Sequence, residues 1–140
     1  MLFGKPKRIV KRILIVEDEP LTAFDNETML EEAGYIVVAT HDRYADAVAT
    51  LEREKIDLIL SDIRLTGERS GIDLARVAKE KNVPVLFSTG MAPDEASELA
   101  VGCLLKPYSE RTLKAALEAV DQHLQGRKVK APKGLVLYEV

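Results

Sequence analysis

The sequence predicts a doubly wound α/β fold, a five-stranded parallel sheet with five helices divided between its two faces. Three observations lead there. Short branched apolar runs recur along the chain, among them Ile13-Leu14-Ile15-Val16, Leu58-Ile59-Leu60 and Val85-Leu86-Phe87. Runs this short and this apolar suit strands buried on both faces of a parallel sheet. Segments with apolar residues at helical spacing alternate with them over short links, which places helices on both faces. Finally, four of the five runs end on a polar residue of distinct type, and strand C-termini in open α/β sheets form the edge where ligands bind.

In order, residues 12–16 form the first strand. Pro20 suits a helix's first turn. Leu21, Phe24, Met29 and Leu30 then give an apolar face to about Ala33, with Gly34 fitting the residue just past the end. Residues 35–39 form the second strand. Asp42 or His41 is placed to cap the next helix, with Ala45, Val48, Ala49 and Leu51 on one face. The third strand, residues 57–61, leads into a polar loop from Arg64 to Ser70 and a helix carrying Ile72, Leu74, Ala75, Val77 and Ala78. Residues 83–88 are the fourth strand, with Pro84 at its entry where no ladder donor is lost. Residues 94–100 can form only a short fourth helix. The fifth strand, 103–105, ends in Lys106-Pro107, and Ser109 caps a last helix with Leu113, Ala116, Leu117, Val120 and Leu124 as its buried stripe. Residues 135–138 remain open between an extra edge strand, a strand swapped onto a neighbour, and disorder. The expected division is a basic extension over 1–11, one domain over 12–126 and a tail over 127–140.

With 140 residues, 46% hydrophobic and 31% charged, the chain has the composition of one ordinary soluble domain. Its single cysteine, Cys103, excludes an internal disulfide and a Cys-rich zinc site, and fits a reducing compartment. No apolar stretch approaches membrane-spanning length, and only four apolar residues follow the basic start before Glu17, too few for a signal peptide. The expectation is a cytoplasmic protein. Residues 13–126 hold 22 of the 23 acids and 11 of the 20 bases, a net of −11. The basic ends therefore read as solvated tails. No basic face with aromatic or recognition-helix features points to nucleic acid. His41 and His123 read as surface residues and Cys103 as a small buried filler.

The strand ends carry the chemistry. Glu17 and Asp18, Asp62, Thr89 and Lys106 should converge at one edge. Taken singly, each has a plain role: Glu17 or Asp18 as a helix N-terminal acid, Asp62 as a loop cap, Thr89 before Gly90 as a turn residue, Lys106 as a solvated lysine. Together they suit phosphoryl transfer. Mg²⁺ takes oxygen ligands, typically one or two carboxylates plus waters and phosphate oxygens. Asp62 can attack phosphorus, while Lys106 and the Thr89 hydroxyl can engage phosphoryl oxygens.

Ile-Leu-Ile-Val-Glu17-Asp18-Glu, Leu-Ile-Leu-Ser-Asp62, Val-Leu-Phe-Ser-Thr89-Gly90 and Leu-Leu-Lys106-Pro107-Tyr resemble the motifs of the CheY-like receiver domains of two-component response regulators, over residues 12–125. The resemblance implies a flavodoxin-like (βα)5 fold with strand order 2-1-3-4-5. It implies Asp62 as the acceptor of phosphate from a histidine kinase or phosphotransfer protein. It further implies Mg²⁺ held by Glu17, Asp18, Asp62 and the backbone carbonyl of Arg64, Thr89 as the switch hydroxyl and Lys106 as the phosphoryl contact. No enzyme activity is implied beyond self-phosphorylation and autodephosphorylation. Output would come by protein contact or by draining phosphate from a kinase, in a monomer or weak dimer. The sequence departs from the family at Cys103, where an aromatic is usual, at Thr66, often a proline, and in the shortened 89–106 segment. Phe87-Ser88-Thr89-Gly90-Met91 resembles the Phe-Ala-Thr-Gly motif of the FATGUY subfamily, which implies an HWE or HisKA_2 kinase and a general stress pathway. Two rivals stand beside this reading: a receiver-like binding module that is never phosphorylated, and a HAD-type phosphatase. The second needs an acid two residues beyond Asp62, where Arg64 stands.

Overall fold

A computed structural model describes residues 7–139. Along the chain it runs β1 (Arg12–Val16), α1 (Pro20–Glu32), β2 (Ile36–His41), α2 (Tyr44–Arg53), β3 (Leu58–Ser61), α3 (Gly71–Glu80), β4 (Val85–Thr89), α4 (Ala96–Leu99), β5 (Gly102–Leu105), α5 (Glu110–Leu124) and β6 (Leu135–Leu137). The sheet order is β2-β1-β3-β4-β5-β6. The first five strands are parallel and β6 is antiparallel to β5. The expected order 2-1-3-4-5 is thus present with one strand added.

Side chains alternate between faces along a strand, and here both faces are covered. Ile13, Ile15, Leu58, Leu60 and Leu86 pack with Leu30 of α1 and Leu113 and Leu117 of α5. Leu14, Val16, Ile59 and Phe87 pack with Ala47 of α2, Leu74 of α3 and Ala96 of α4. That double burial is why the central strands read as unbroken apolar runs. Local signals set the helix ends. Pro20 opens α1 beneath a Glu19 side chain that accepts from the Leu21 and Thr22 amides, and Gly34 follows the helix at a φ of +94°. Ser70 and Asp73 form a reciprocal capping box on α3, and Ser109 caps α5.

Several expectations are corrected. Leu21 and Phe24 are 73% and 66% exposed; α1 instead buries Ala23, Asn26 and Leu30. On α2 the buried residues are Ala47, Thr50 and Leu51, and Ala45 is exposed. Neither His41 nor Asp42 caps that helix: Arg43 holds the cap position without a side-chain bond. The basic start is not a solvated tail over its described part. The amides of Ile9 and Val10 donate to the Asp121 carboxylate at 3.0 and 2.8 Å, and the Arg8 guanidinium lies 4.2 Å from the Tyr35 ring centroid. Lys5 lies outside the described residues. The histidines are half-buried and bonded, His41 to the Thr50 hydroxyl at 2.8 Å and His123 to the Tyr138 carbonyl at 2.5 Å. Residues 135–137 form the edge strand β6, with Leu135 buried. Among the described residues no helix is long and apolar enough to cross a membrane.

Candidate functional site

The register of the ladder assembles the site. Val16 of β1 pairs with Ser61 of β3, so the next residues, Glu17 and Asp62, leave the sheet side by side; the Asp62 amide still donates to the Val16 carbonyl at 2.9 Å. Thr89 of β4 pairs with Leu105 of β5, and the Lys106 amide donates to the Thr89 carbonyl at 2.8 Å. One oxygen from each of Glu17, Asp18 and Asp62 lies within 4.8 Å of the others. The Lys106 ammonium donates to Glu17 Oε1 at 2.5 Å and to Asp62 Oδ2 at 3.0 Å. Glu17 is buried, while Asp18 and Asp62 are half-buried. A cleft of about 280 Å³ opens beside Glu17 and Asp18, walled by Pro20, Ala23, Thr40 and His41.

Each carboxylate is also tied to the backbone. Glu17 Oε2 accepts from the Glu19 amide at 3.0 Å, and Asp62 Oδ1 accepts from the Ile63 amide at 2.7 Å. The loop after Asp62 folds back so closely that a Cβ at Gly71 would lie 2.0 Å from the Asp62 carbonyl oxygen. Only glycine permits that approach.

Burial raises the pKa of Glu17, against the lowering effect of its Lys106 hydrogen bond and charge. For Lys106 burial alone would lower the pKa, but the hydrogen bonds and charges of Glu17 and Asp62 outweigh it and the net direction is up. The ammonium is therefore held charged. With all groups ionised, three carboxylates and one ammonium leave a formal charge of −2, a donor set suited to a hard divalent cation.

Two expected residues make no hydrogen bond to Glu17, Asp18 or Asp62 among the described residues. The Thr89 hydroxyl donates to the Met91 carbonyl at 3.1 Å and accepts from the Met91 amide at 3.3 Å, closing its own turn. Arg64 is exposed, and its backbone carbonyl takes part in no hydrogen bond among the described residues. Cys103 is buried, and burial pushes its thiol up to about 11.

Sequence reasoning missed a polar junction behind the lysine. The Tyr108 hydroxyl donates to Asn26 Oδ1 of α1 and bonds the Ser88 hydroxyl of β4, both at 3.0 Å. Burial raises the Tyr108 pKa, opposed by those two bonds. The available signal was Asn26, a polar residue at helical spacing between Ala23 and Leu30.

Comparison with known proteins gives a consistent answer. The response regulator receiver domain family is matched over residues 13–118. The chain is similar to the transcriptional regulatory protein PdtaR of Mycobacterium tuberculosis, with 33% identity over 116 residues covering 79% of this chain and 56% of that protein. Among solved structures it resembles the response regulator PhyR from Brucella abortus, with a TM-score of 0.70, 29% identity, and 86% of this chain and 51% of that one covered. It also resembles the receiver domain of the sensor histidine kinase PA1611 from Pseudomonas aeruginosa, which holds a magnesium ion in its active-site cleft. There the TM-score is 0.67 and the identity 29%, over 78% of this chain and 95% of that one. The chain spans about half the length of the curated relatives it matches.

Proposed function

The chain belongs to the response regulator receiver family, and from that premise we propose that it is a phosphorelay receiver whose Asp62 accepts a phosphoryl group from a histidine kinase or phosphotransfer protein. One observation carries the reading: Glu17, Asp18 and Asp62 converge within 4.8 Å while Lys106 bridges two of them. Mg²⁺ fits this donor set, held by Glu17, Asp18, Asp62 and the Arg64 backbone carbonyl; when bound it neutralises charge on the phosphoryl oxygens.

The residues supply the rest. An Asp62 carboxylate oxygen attacks phosphorus, the bond from phosphorus to the donor's imidazole nitrogen breaks, and that nitrogen leaves with the electron pair. The Lys106 ammonium, already against Asp62, contacts a phosphoryl oxygen, and the Thr89 hydroxyl turns from Met91 to donate to another. Resemblance to PhyR, a stress response regulator, supports a stress pathway, and the Phe87-Ser88-Thr89-Gly90-Met91 motif supports an HWE or HisKA_2 kinase as donor. Output is by protein contact or by draining phosphate, as a cytoplasmic monomer or weak dimer with no nucleic-acid contact and no enzymatic activity beyond self-phosphorylation and autodephosphorylation.

Intact mass after incubation with Mg²⁺ and acetyl phosphate tests the proposal. A single phosphoryl adduct on the wild type and none on Asp62→Asn is expected. A wild type that binds Mg²⁺ but takes no phosphoryl group from acetyl phosphate or a phosphorylated kinase would refute it.

A further inference from the structure

Behind the site, three elements meet at one phenol. Asn26 is 2% exposed and Ser88 1%, so both polar side chains depend on protein partners. Tyr108 provides one for each: its hydroxyl donates to Asn26 Oδ1 and shares a hydrogen bond with Ser88 Oγ. The partners are placed with respect to the chemistry. Ser88 immediately precedes Thr89, and Tyr108 follows Lys106 with Pro107 between them. Asn26 belongs to α1, the helix that begins directly after Glu17-Asp18-Glu19.

We propose that the Tyr108 hydroxyl is a positioning residue, fixing the Lys106 and Thr89 strand ends against the helix that follows the carboxylates. The ladder bond from the Lys106 amide to the Thr89 carbonyl ties β5 to β4, but it does not relate either to α1. The Tyr108–Asn26 bond does. A lysine on a long flexible side chain gains its effect from where its backbone is held, and small displacements of a positioned group carry large rate penalties. The kinetic half of this proposal rests on the phosphoryl-transfer reading above; the placement half does not.

The test compares Tyr108→Phe, which keeps the ring, and Ser88→Ala with the wild type. Mg²⁺ affinity by calorimetry stays within about two-fold, since all three carboxylates keep their partners. Adduct formation from acetyl phosphate slows about ten-fold, a size usual for groups that orient a site from behind. The double variant is no slower than the slower single, because both changes break one junction. The Lys106 side-chain ammonium resonance, assigned by Lys106→Arg, shifts in Tyr108→Phe with no phosphodonor present. An unmoved resonance overturns the proposal, as does adduct formation at the wild-type rate, or a slowing matched by an equal loss of Mg²⁺ affinity. If Tyr108→Phe fails to fold, Asn26→Ala, which removes the same bond from the α1 side, decides by the same readouts. If the wild type takes no phosphoryl group, the function reading fails and the ammonium resonance still decides this one.

Discussion

Replacing Lys106 by Met should move stability and metal affinity in opposite directions. Glu17 is buried and its strongest partner is the Lys106 ammonium at 2.5 Å, so the substitution leaves two facing carboxylates and a half-buried third without a counter-charge. Removing one member of a buried pair costs roughly 3–5 kcal/mol. The lysine side chain is 25% exposed and Asp62 14%, so water screens part of this and about 2–3 kcal/mol is expected. In a chain of this length that lowers the melting temperature by about 8 °C. A divalent cation, however, no longer meets a fixed positive charge. At a separation of roughly 5 Å, even water-like screening makes that repulsion about 1.5 kcal/mol, or roughly ten-fold in affinity. Lys106→Met should therefore unfold at lower urea than wild type in chelator, bind Mg²⁺ about ten-fold more tightly by calorimetry, and recover part of its lost stability in excess Mg²⁺. A variant as stable as wild type in chelator, or one that binds Mg²⁺ more weakly, would refute the electrostatic account.

Three further expectations follow. Burial raises the Glu17 pKa above its ordinary 4.5, so the folded state takes up that proton more readily than the unfolded one. Its stabilising contribution is present below 4.5 and is lost as pH rises through the folded value. Mg²⁺ must displace that proton, so affinity should climb with pH above 4.5 and binding should release protons, read by calorimetry in two buffers of different ionisation enthalpy; proton-neutral binding throughout that range contradicts this. Gly71→Ala sets a Cβ 2.0 Å from the Asp62 carbonyl and should cost about 3 kcal/mol in urea unfolding and weaken Mg²⁺ binding together, whereas a wild-type Mg²⁺ isotherm would show that the loop relaxes freely. Gly102→Ala places a Cβ 2.6 Å from the Val136 carbonyl; amide exchange at 135–138 should lose protection while β1 and β3 keep theirs, and protection retained at 135–138 would show that β6 shifts without detaching.

The fold was legible because both faces of the central strands are covered, and that turns β1, β3 and β4 into apolar runs no helix of that length would carry. The site was legible for a related reason: parallel strands deliver their C-terminal residues to one edge, so types and order in sequence become neighbours in space. Helix rotation was less legible. On α1 the large apolar residues Leu21 and Phe24 outweigh Ala23 in any hydropathy pattern, yet the smaller residue goes inward. Asn26 reads as a solvent residue until its partner is known, and Tyr108 is 82 positions away. Thr89 could be placed at its strand end, but no pattern states which way a hydroxyl points.

The least legible part, residues 127–139, answers a deficit elsewhere. α4 has only four residues, and Cys103 is a small side chain on a central position of β5, so this edge of the sheet is thinly covered by the elements before it. Residues 135–138 supply cover on both faces. Leu135 and Leu137 join the layer beneath α1 and α5, while Tyr138 packs into the opposite layer with Cys103 and Leu99. The segment is fastened at both ends, by the Leu105 amide to the Gly134 carbonyl at 2.8 Å and by the Tyr138 amide to the Val101 carbonyl at 2.9 Å. Gly102 has no side chain because the Val136 backbone passes where one would stand. A glycine inside a strand weakens it unless another backbone comes close, so Gly102, beside the apolar run at 135–138, is a trace in the sequence of a partner on the outer side of β5.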